Sequence, residues 1–308
     1  MEKKTFNILA IDGGGIRGIF PAYILQCLQE RIGVEANKAF NMFAGTSTGA
    51  IIAAGIACGK APSEMVSLYQ QHGHEIFGKA KRSFLPKKLK QGFHSKYCNQ
   101  NLKDVLLSTF KDVRLGDIKK PLLLPATDIG NGGVHVFKSG YNSHFTRDNS
   151  VAVRDALLAS CSAPAFFDPT QVGRYLLADG GVWANNPALA AVIDARYRLN
   201  VALEDIRVLS LGTGESITAY GTKKRKRWGL ITGWKGVDFI GFLLSLQAQS
   251  TQNYLKLMLD KEQLLRLNFK SDQPLPLDDV DLTDDLISKA DLAFTRESEP
   301  LKMFFNKD

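Results

Sequence analysis

The 308-residue sequence predicts an α/β fold whose mostly parallel central sheet is covered by helices on both faces. Two observations carry the prediction. Short apolar runs of strand length alternate with longer segments of helical periodicity, the pattern of parallel strands joined by crossover helices. Three strand-like runs also end in glycine-rich turns, where the chain is expected to reverse or to approach a ligand closely. No internal repeat and no linker interrupts the pattern, so a single domain over residues 1–308 is expected. Its motifs fall within 6–215, and residues 216–308 read as a C-terminal extension packed on the same domain.

Phe6 to Ile11 is an apolar run that stops at Asp12 and three glycines, as a buried strand entering a turn would. Helical periodicity follows from about Ile19 to Arg31. Ala39 to Ala44 reads as a second strand, and the turn Gly45-Thr46-Ser47-Thr48-Gly49 leads into a small-residue helix through about Cys58. Pro62 suits the first turn of the next helix. Residues 79–96 carry Gly, Pro and scattered aromatics and read as a loop or lid. A helix near 99–110, strands near 121–127 and 133–138, and a helix from Val151 to Ser160 come next. Arg174 to Asp179 is a strand ending in Asp-Gly-Gly, after which Asn186 caps a helix beginning at Pro187. Ile206 to Leu211 is another buried strand. Beyond it lie a basic run, an aromatic-rich stretch near 228–250 and an Asp-rich helical region.

Composition is that of a chain able to bury its own core, with 44% hydrophobic and 23% charged residues. The four cysteines form no CxxC pair and have no histidine at metal-ligand spacing, so reduced thiols in a cytoplasmic protein are expected. The N-terminus shows no signal-peptide pattern, and no apolar run approaches the length of a membrane span. The net charge of +8 is unevenly spread. Ile76 to Lys103 holds eight Lys or Arg and no acid, and Lys223 to Arg227 holds five more; without these thirteen cations the rest of the chain stands at −5. Two basic patches on an acidic body suit an anionic membrane, nucleic acid or a phosphorylated ligand, the alternative being a pair of solvated loops. Lys87, Lys88, Lys90, Arg225, Arg227 and Trp228 are the candidate contacts. Trp228, Trp234, Phe239 and Phe242 follow the second patch, a chemistry suited to a helix lying at a membrane surface or to core packing.

The chemistry concentrates in three segments: Asp12-Gly13-Gly14-Gly15-Ile16-Arg17-Gly18, the Ser47 pentapeptide, and Asp179-Gly180-Gly181. Loops that follow parallel strands gather on one edge of a sheet, so the three could meet there. G-x-S-x-G between strand and helix is the nucleophile-elbow pattern, in which the flanking glycines let the backbone double back and expose the serine. A hydroxyl nucleophile needs a base. None of His72, His74, His94, His135 and His144 lies in a late strand-end loop, so they read as surface or satisfied histidines. Asp179 is the better base, because partial desolvation in a cleft raises a carboxylate pKa toward a useful range. The glycines of 12–18 can turn amides toward a developing oxyanion, and Arg17 would add positive charge nearby. Gly13-x-Gly15-x-x-Gly18 also matches a dinucleotide fingerprint, but that reading needs an acid closing the second strand, which ends instead in Gly45-Thr46-Ser47.

Together the DGGGxRG, GTSTG and DGG segments resemble the patatin-like phospholipase family in order and spacing. Ala159 to Phe167 is similar to the family's small-residue segment, and Asp179 to Pro187 to its continuation, so the resemblance spans roughly residues 6–215. It implies a three-layer α/β/α patatin-like fold and a Ser47–Asp179 dyad that forms an acyl-enzyme. Gly14, Gly15 and the Thr48 amide would bind the oxyanion, with Gly13, Arg17, Gly45, Gly49 and Gly180 in support. No metal or cofactor is implied for the chemistry. The implied substrate is a membrane phospholipid cleaved in phospholipase A fashion, with peripheral membrane contact. Alternatives are an esterase or thioesterase on soluble acyl substrates and a catalytically silent lipid- or nucleotide-binding module. The compact size also resembles bacterial anti-phage effectors switched on by cyclic oligonucleotides, which adds a cyclic nucleotide ligand and a homo-oligomer to the expected partners. No DNA or RNA polymer is expected among them.

Overall fold

A computed structural model describes residues 5–77, 95–216, 237–273 and 275–306. Its main sheet contains β1 (Phe6–Ile11), β2 (Met42–Gly45), β3 (Leu122–Asp128), β4 (Gly133–Lys138), β5 (Thr170–Val172), β6 (Tyr175–Asp179), β7 (Ile206–Leu211) and β9 (Leu264–Leu267). β8 (Glu215–Ser216) pairs with β10 (Lys270–Ser271) beside it. The helices are α1 (Ile19–Ile32), α2 (Ala36–Ala39), α3 (Thr48–Ala57), α4 (Pro62–Phe77), α5 (Asn99–Phe110), α6 (Val153–Ser160), α7 (Gly181–Ala184), α8 (Ala188–Arg198), α9 (Val237–Met258), α10 (Thr283–Arg296) and α11 (Ser298–Phe305). The expected second strand starts later than its apolar run suggests. Residues 36–39 take a helical turn first, and the strand begins at Met42, after Asn41 has accepted the Asn7 N–H on its side chain. The expected helix after Asp179 is shifted by one residue: the Asn186 carboxamide accepts the Ala188 N–H and Pro187 stands before the first turn.

Period-two alternation in the strands splits the core into two layers. Leu9 and Ile11 of β1 face a large cluster with Phe20, Ile24 and Ile52, whereas Ile8 and Ala10 face Ala188, Ala191 and Val192 of α8 and Leu255 of α9. All four β1 side chains are fully buried. Each large aliphatic among them contributes roughly 1.5–3 kcal/mol by leaving water. Helices therefore cover both faces, in three layers.

The sheet runs β5-β6-β3-β2-β1-β7-β9, with β4 on the free edge of β3. Five strands (β9, β7, β1, β2, β3) are mutually parallel, as expected. β4, β5 and β6 add an antiparallel margin. One consequence bears on the site. β4 occupies one whole edge of β3, so β2 and β6 must share the other. β2 pairs with Leu122 and Leu123, while β6 comes from the opposite direction and ends with Asp179 opposite Ala126. Their C-termini therefore meet head to head across Pro125. The loop after β2 and the end of β6 converge for this reason, rather than because all strands run one way.

Candidate active site

Ser47 is the second of the two residues between β2 and α3, with φ 55° and ψ −122°. A non-glycine residue held there stores on the order of 1–3 kcal/mol. The turn closes only because its flanks lack side chains. A Cβ on Gly45 would stand 2.1 Å from the Gly49 carbonyl oxygen, and one on Gly49 would stand 2.3 Å from the Ile11 carbonyl oxygen. Hydrogen bonds fix the strained residue from below. The Ser47 N–H donates to Ser160 Oγ at 3.1 Å, and Ser160 Oγ donates to the Pro125 carbonyl at 2.7 Å, in the gap where the two strands meet. Thr46 Oγ1 donates to the Ala184 carbonyl at 2.6 Å. The serine hydroxyl is thus presented at the N-terminus of a ten-residue helix, where negative charge is favoured.

Asp179 is buried and shares one cleft with Ser47, whose hydroxyl favours its charged form. The Gly181 N–H donates to its Oδ1 at 2.6 Å. Burial raises its pKa to about 6, and the Ser47 and Gly181 hydrogen bonds pull in the other direction. It is therefore ionised at neutral pH yet far more basic than an ordinary carboxylate. Cys161 lines the same cleft; burial and the neighbouring Asp179 charge push its thiol well up, so it stands beside the pair as a neutral group. Gly180 lets the chain pass Pro125, whose carbonyl oxygen lies 2.3 Å from the position of a Cβ.

The loop after β1 supplies free donors. Gly13 N–H is taken by the Asn185 carbonyl at 3.0 Å and Ile16 N–H by the Leu277 carbonyl at 2.8 Å. Between them, and across at the elbow, the N–H groups of Gly14, Gly15 and Thr48 donate to no protein acceptor among the described residues. All three residues line one cleft with Ser47 and Asp179. Unclaimed amides beside a nucleophile are the donors an oxyanion needs. Arg17 serves the loop from beneath: its buried guanidinium donates Nε–H to the Gly14 carbonyl at 3.1 Å, and burial lowers its pKa to about 10. Asp12, whose pKa burial raises against the pull of Arg266, is clamped by that residue through bonds of 2.9 and 2.5 Å.

The rest of the cleft is apolar. Ile51, Leu68, Phe77, Phe166 and Phe167 line one side, and Ile240, Leu243 and Leu244 of α9 the other. Val182 and Leu243 reach from the cleft to solvent, at 56% and 48% exposure. No histidine lines the cleft among the described residues. His72 is half-buried and pairs with Glu75. His135 is neither a surface nor a satisfied histidine: it is buried between Phe137 and Tyr175 with Nε2 unpartnered, and burial lowers its pKa to about 4.

The structure thus brings Ser47, Asp179, Gly13, Gly14, Gly15, Arg17, Gly45, Thr48, Gly49 and Gly180 to one place. Lys87, Lys88, Lys90, Arg225, Arg227 and Trp228 lie outside the described residues. Ser160, Asn185, Leu277 and Arg266 serve the site as well, beyond the residues expected from sequence. Ser160 and Asn185 sit in the small-residue and Asp-Gly-Gly segments, which mark them; Arg266 and Leu277 carry no motif. Among the described residues no group of three or more His, Cys, Asp or Glu is placed to hold a metal ion, and no helix is long and apolar enough to cross a membrane.

A family model for patatin-like phospholipase matches residues 9–192. A cGAMP-activated phospholipase of Pseudomonas aeruginosa (strain BWHPSA011 / Pa011) is 32% identical over 82% of this chain and 75% of its own length. A cGAMP-activated phospholipase of Escherichia coli (strain TW11681) is 29% identical over 91% of this chain and 82% of its own. A cUMP-AMP-activated phospholipase of Escherichia coli is 32% identical over 68% of this chain and 64% of its own.

Proposed function

The chain belongs to the patatin-like phospholipase family, a family of serine hydrolases, and from that premise we propose that it is a phospholipase A acting through Ser47 and Asp179. The observation that carries the reading is an elbow serine and a buried carboxylate of raised pKa side by side in one cleft, which no described histidine lines. Asp179 accepts the Ser47 proton as Oγ attacks the acyl carbonyl of a phospholipid. The tetrahedral oxyanion takes N–H groups from Gly14, Gly15 and Thr48. Collapse breaks the ester bond, and Asp179 returns the proton to the departing lysophospholipid alcohol. A water then attacks the acyl-enzyme, giving its proton to Asp179; collapse of the second tetrahedral adduct breaks the acyl bond to Ser47 Oγ, Asp179 returns the proton to Oγ, and the fatty acid departs. The aromatic and aliphatic cleft walls hold the acyl chain, at roughly 0.8 kcal/mol per buried methylene. No metal or cofactor is needed for these steps. We read the whole chain as one catalytic domain.

Regulation by a cyclic oligonucleotide and peripheral binding to the inner membrane surface complete the reading. The relatives' names support the first, since two are cGAMP-activated and one cUMP-AMP-activated. The exposed Val182 and Leu243 at the cleft mouth support the second. Product analysis on mixed bacterial phospholipid vesicles, with and without a panel of cyclic oligonucleotides, tests all three. Free fatty acid with lysophospholipid, released faster with one nucleotide, is the expected result. Release of phosphorylated headgroup, or no lipid cleavage under any condition, would refute the assignment. Reversing Lys87, Lys88 and Lys90 to glutamate is expected to weaken nucleotide or vesicle binding at least ~10-fold, because each cation near an anionic surface contributes about 1 kcal/mol. Unchanged binding of both ligands would make that stretch a solvated loop.

A further inference from the structure

We propose that Asp278 is a positioning residue for the oxyanion loop, gripping Lys96 and Tyr97 so that the end of the basic segment and the catalytic amides move as one unit. The proposal rests on the Ser47 reading above. Asp278 Oδ2 accepts the Tyr97 hydroxyl at 2.6 Å and pairs with the Lys96 ammonium, and its side chain is only 10% exposed. Its neighbour Leu277 is the residue that touches the glycine loop. The Leu277 carbonyl accepts the Ile16 N–H at 2.8 Å and lies 2.0 Å from where a Gly15 Cβ would stand. Gly15 itself has φ +59°, so its peptide orientation depends on being held from outside. A carboxylate anchored on one side thus sets the backbone carbonyl that presses on an oxyanion donor on the other.

The anchor is equally well fixed. The Lys96 and Tyr97 N–H groups donate to the carbonyls of Ala165 and Phe166, at 3.0 and 2.8 Å. The buried Tyr97 ring packs on Phe77 and Phe167 with centroids 5.8 and 5.7 Å away, and both of those residues line the acyl cleft. Lys96 is the last cation but one of the eight-cation segment. Lys96 and Tyr97 are thus joined to the cleft wall and, through Asp278, to the loop that holds Gly14 and Gly15.

The test compares Asp278→Asn, Tyr97→Phe and Lys96→Met in the full chain. A short p-nitrophenyl ester serves as substrate, and a trifluoromethyl ketone, which forms a tetrahedral adduct with a serine, probes the oxyanion site. Displaced amides are expected to lower kcat about 10- to 100-fold for Asp278→Asn and Tyr97→Phe, with KM changed less than about 3-fold. Ketone affinity should fall by the same factor as kcat/KM, and Lys96→Met should show a smaller loss of the same kind. Tyr97→Phe keeps the ring and its packing, so it stays informative if Asp278→Asn folds poorly. Unchanged kcat in all soluble variants would overturn the proposal. So would a rise in KM with ketone affinity untouched, because that is the signature of a loosened cleft wall alone. Labelling with a serine-directed fluorophosphonate separates the two readings: failure to label Ser47 in the unaltered enzyme would sink both.

Discussion

Replacing Ser47 with alanine is expected to lower lipid hydrolysis by about 10^5- to 10^6-fold, to the background left by binding and the oxyanion donors alone. The substitution removes only Oγ. The main-chain N–H that donates to Ser160 remains, as do the helix start and the paired glycines, so the fold should persist. Alanine carries the same Cβ at φ 55° and inherits the strain. Ser47→Gly should be equally inactive but more stable by about 1 kcal/mol, because the backbone penalty disappears. Kinetics on vesicles together with thermal melting check both. Residual turnover above roughly 1% in the alanine variant would remove Ser47 from the mechanism.

Asp179→Asn is expected to cost about 10^3- to 10^4-fold in kcat while making the protein more stable. The carboxamide still offers an oxygen to the Gly181 N–H but cannot take the serine proton. Burial lifts the native pKa from 3.8 to about 6, so keeping the carboxylate ionised at neutral pH costs the fold about 3 kcal/mol. The native state binds this proton more tightly than the unfolded chain does. The penalty is therefore complete above pH 6, shrinks as pH falls toward 3.8, and vanishes below that. Activity follows the opposite course, because only the ionised form is a base. In the unaltered enzyme kcat/KM should rise with pH and reach half its plateau near about 6. A melting temperature that does not rise in the asparagine variant would contradict the buried-charge account. A pH profile flat between 5 and 7 would contradict the base assignment.

Much of this site was legible in the sequence because its demands are local. A serine between two glycines at a strand-to-helix step, and glycines massed after β1, reflect backbone geometry that short segments alone impose. The alternation of apolar runs likewise exposed most strands and helices. Strand direction was not legible, since Tyr175 to Asp179 reads the same whether it lies parallel or antiparallel to β3. Leu264 to Leu267 was unreadable for another reason. Arg266 interrupts its apolar pattern, and the cause of that arginine is Asp12, 254 positions away in the chain. Leu277 and Asp278 were hidden in the same way: their role depends on a carbonyl and a carboxylate meeting partners that no local pattern announces. Interactions fixed by distant contacts leave no periodicity to read.

The head-to-head approach of β2 and β6 makes β3 a ruler for the site. The separation between Ser47 and Asp179 is counted in residues of that one strand, from Leu123 beside Ala44 to Ala126 beside Asp179. Inserting or deleting a residue within that interval would change the gap by roughly 3.3 Å and turn one partner's side chain to the wrong face. The β3–β4 hairpin tip at 129–132, beyond the last paired residues, should by contrast accept extra residues without disturbing catalysis. Length variation among active members of such a fold should therefore collect at that tip and be absent between Leu123 and Ala126.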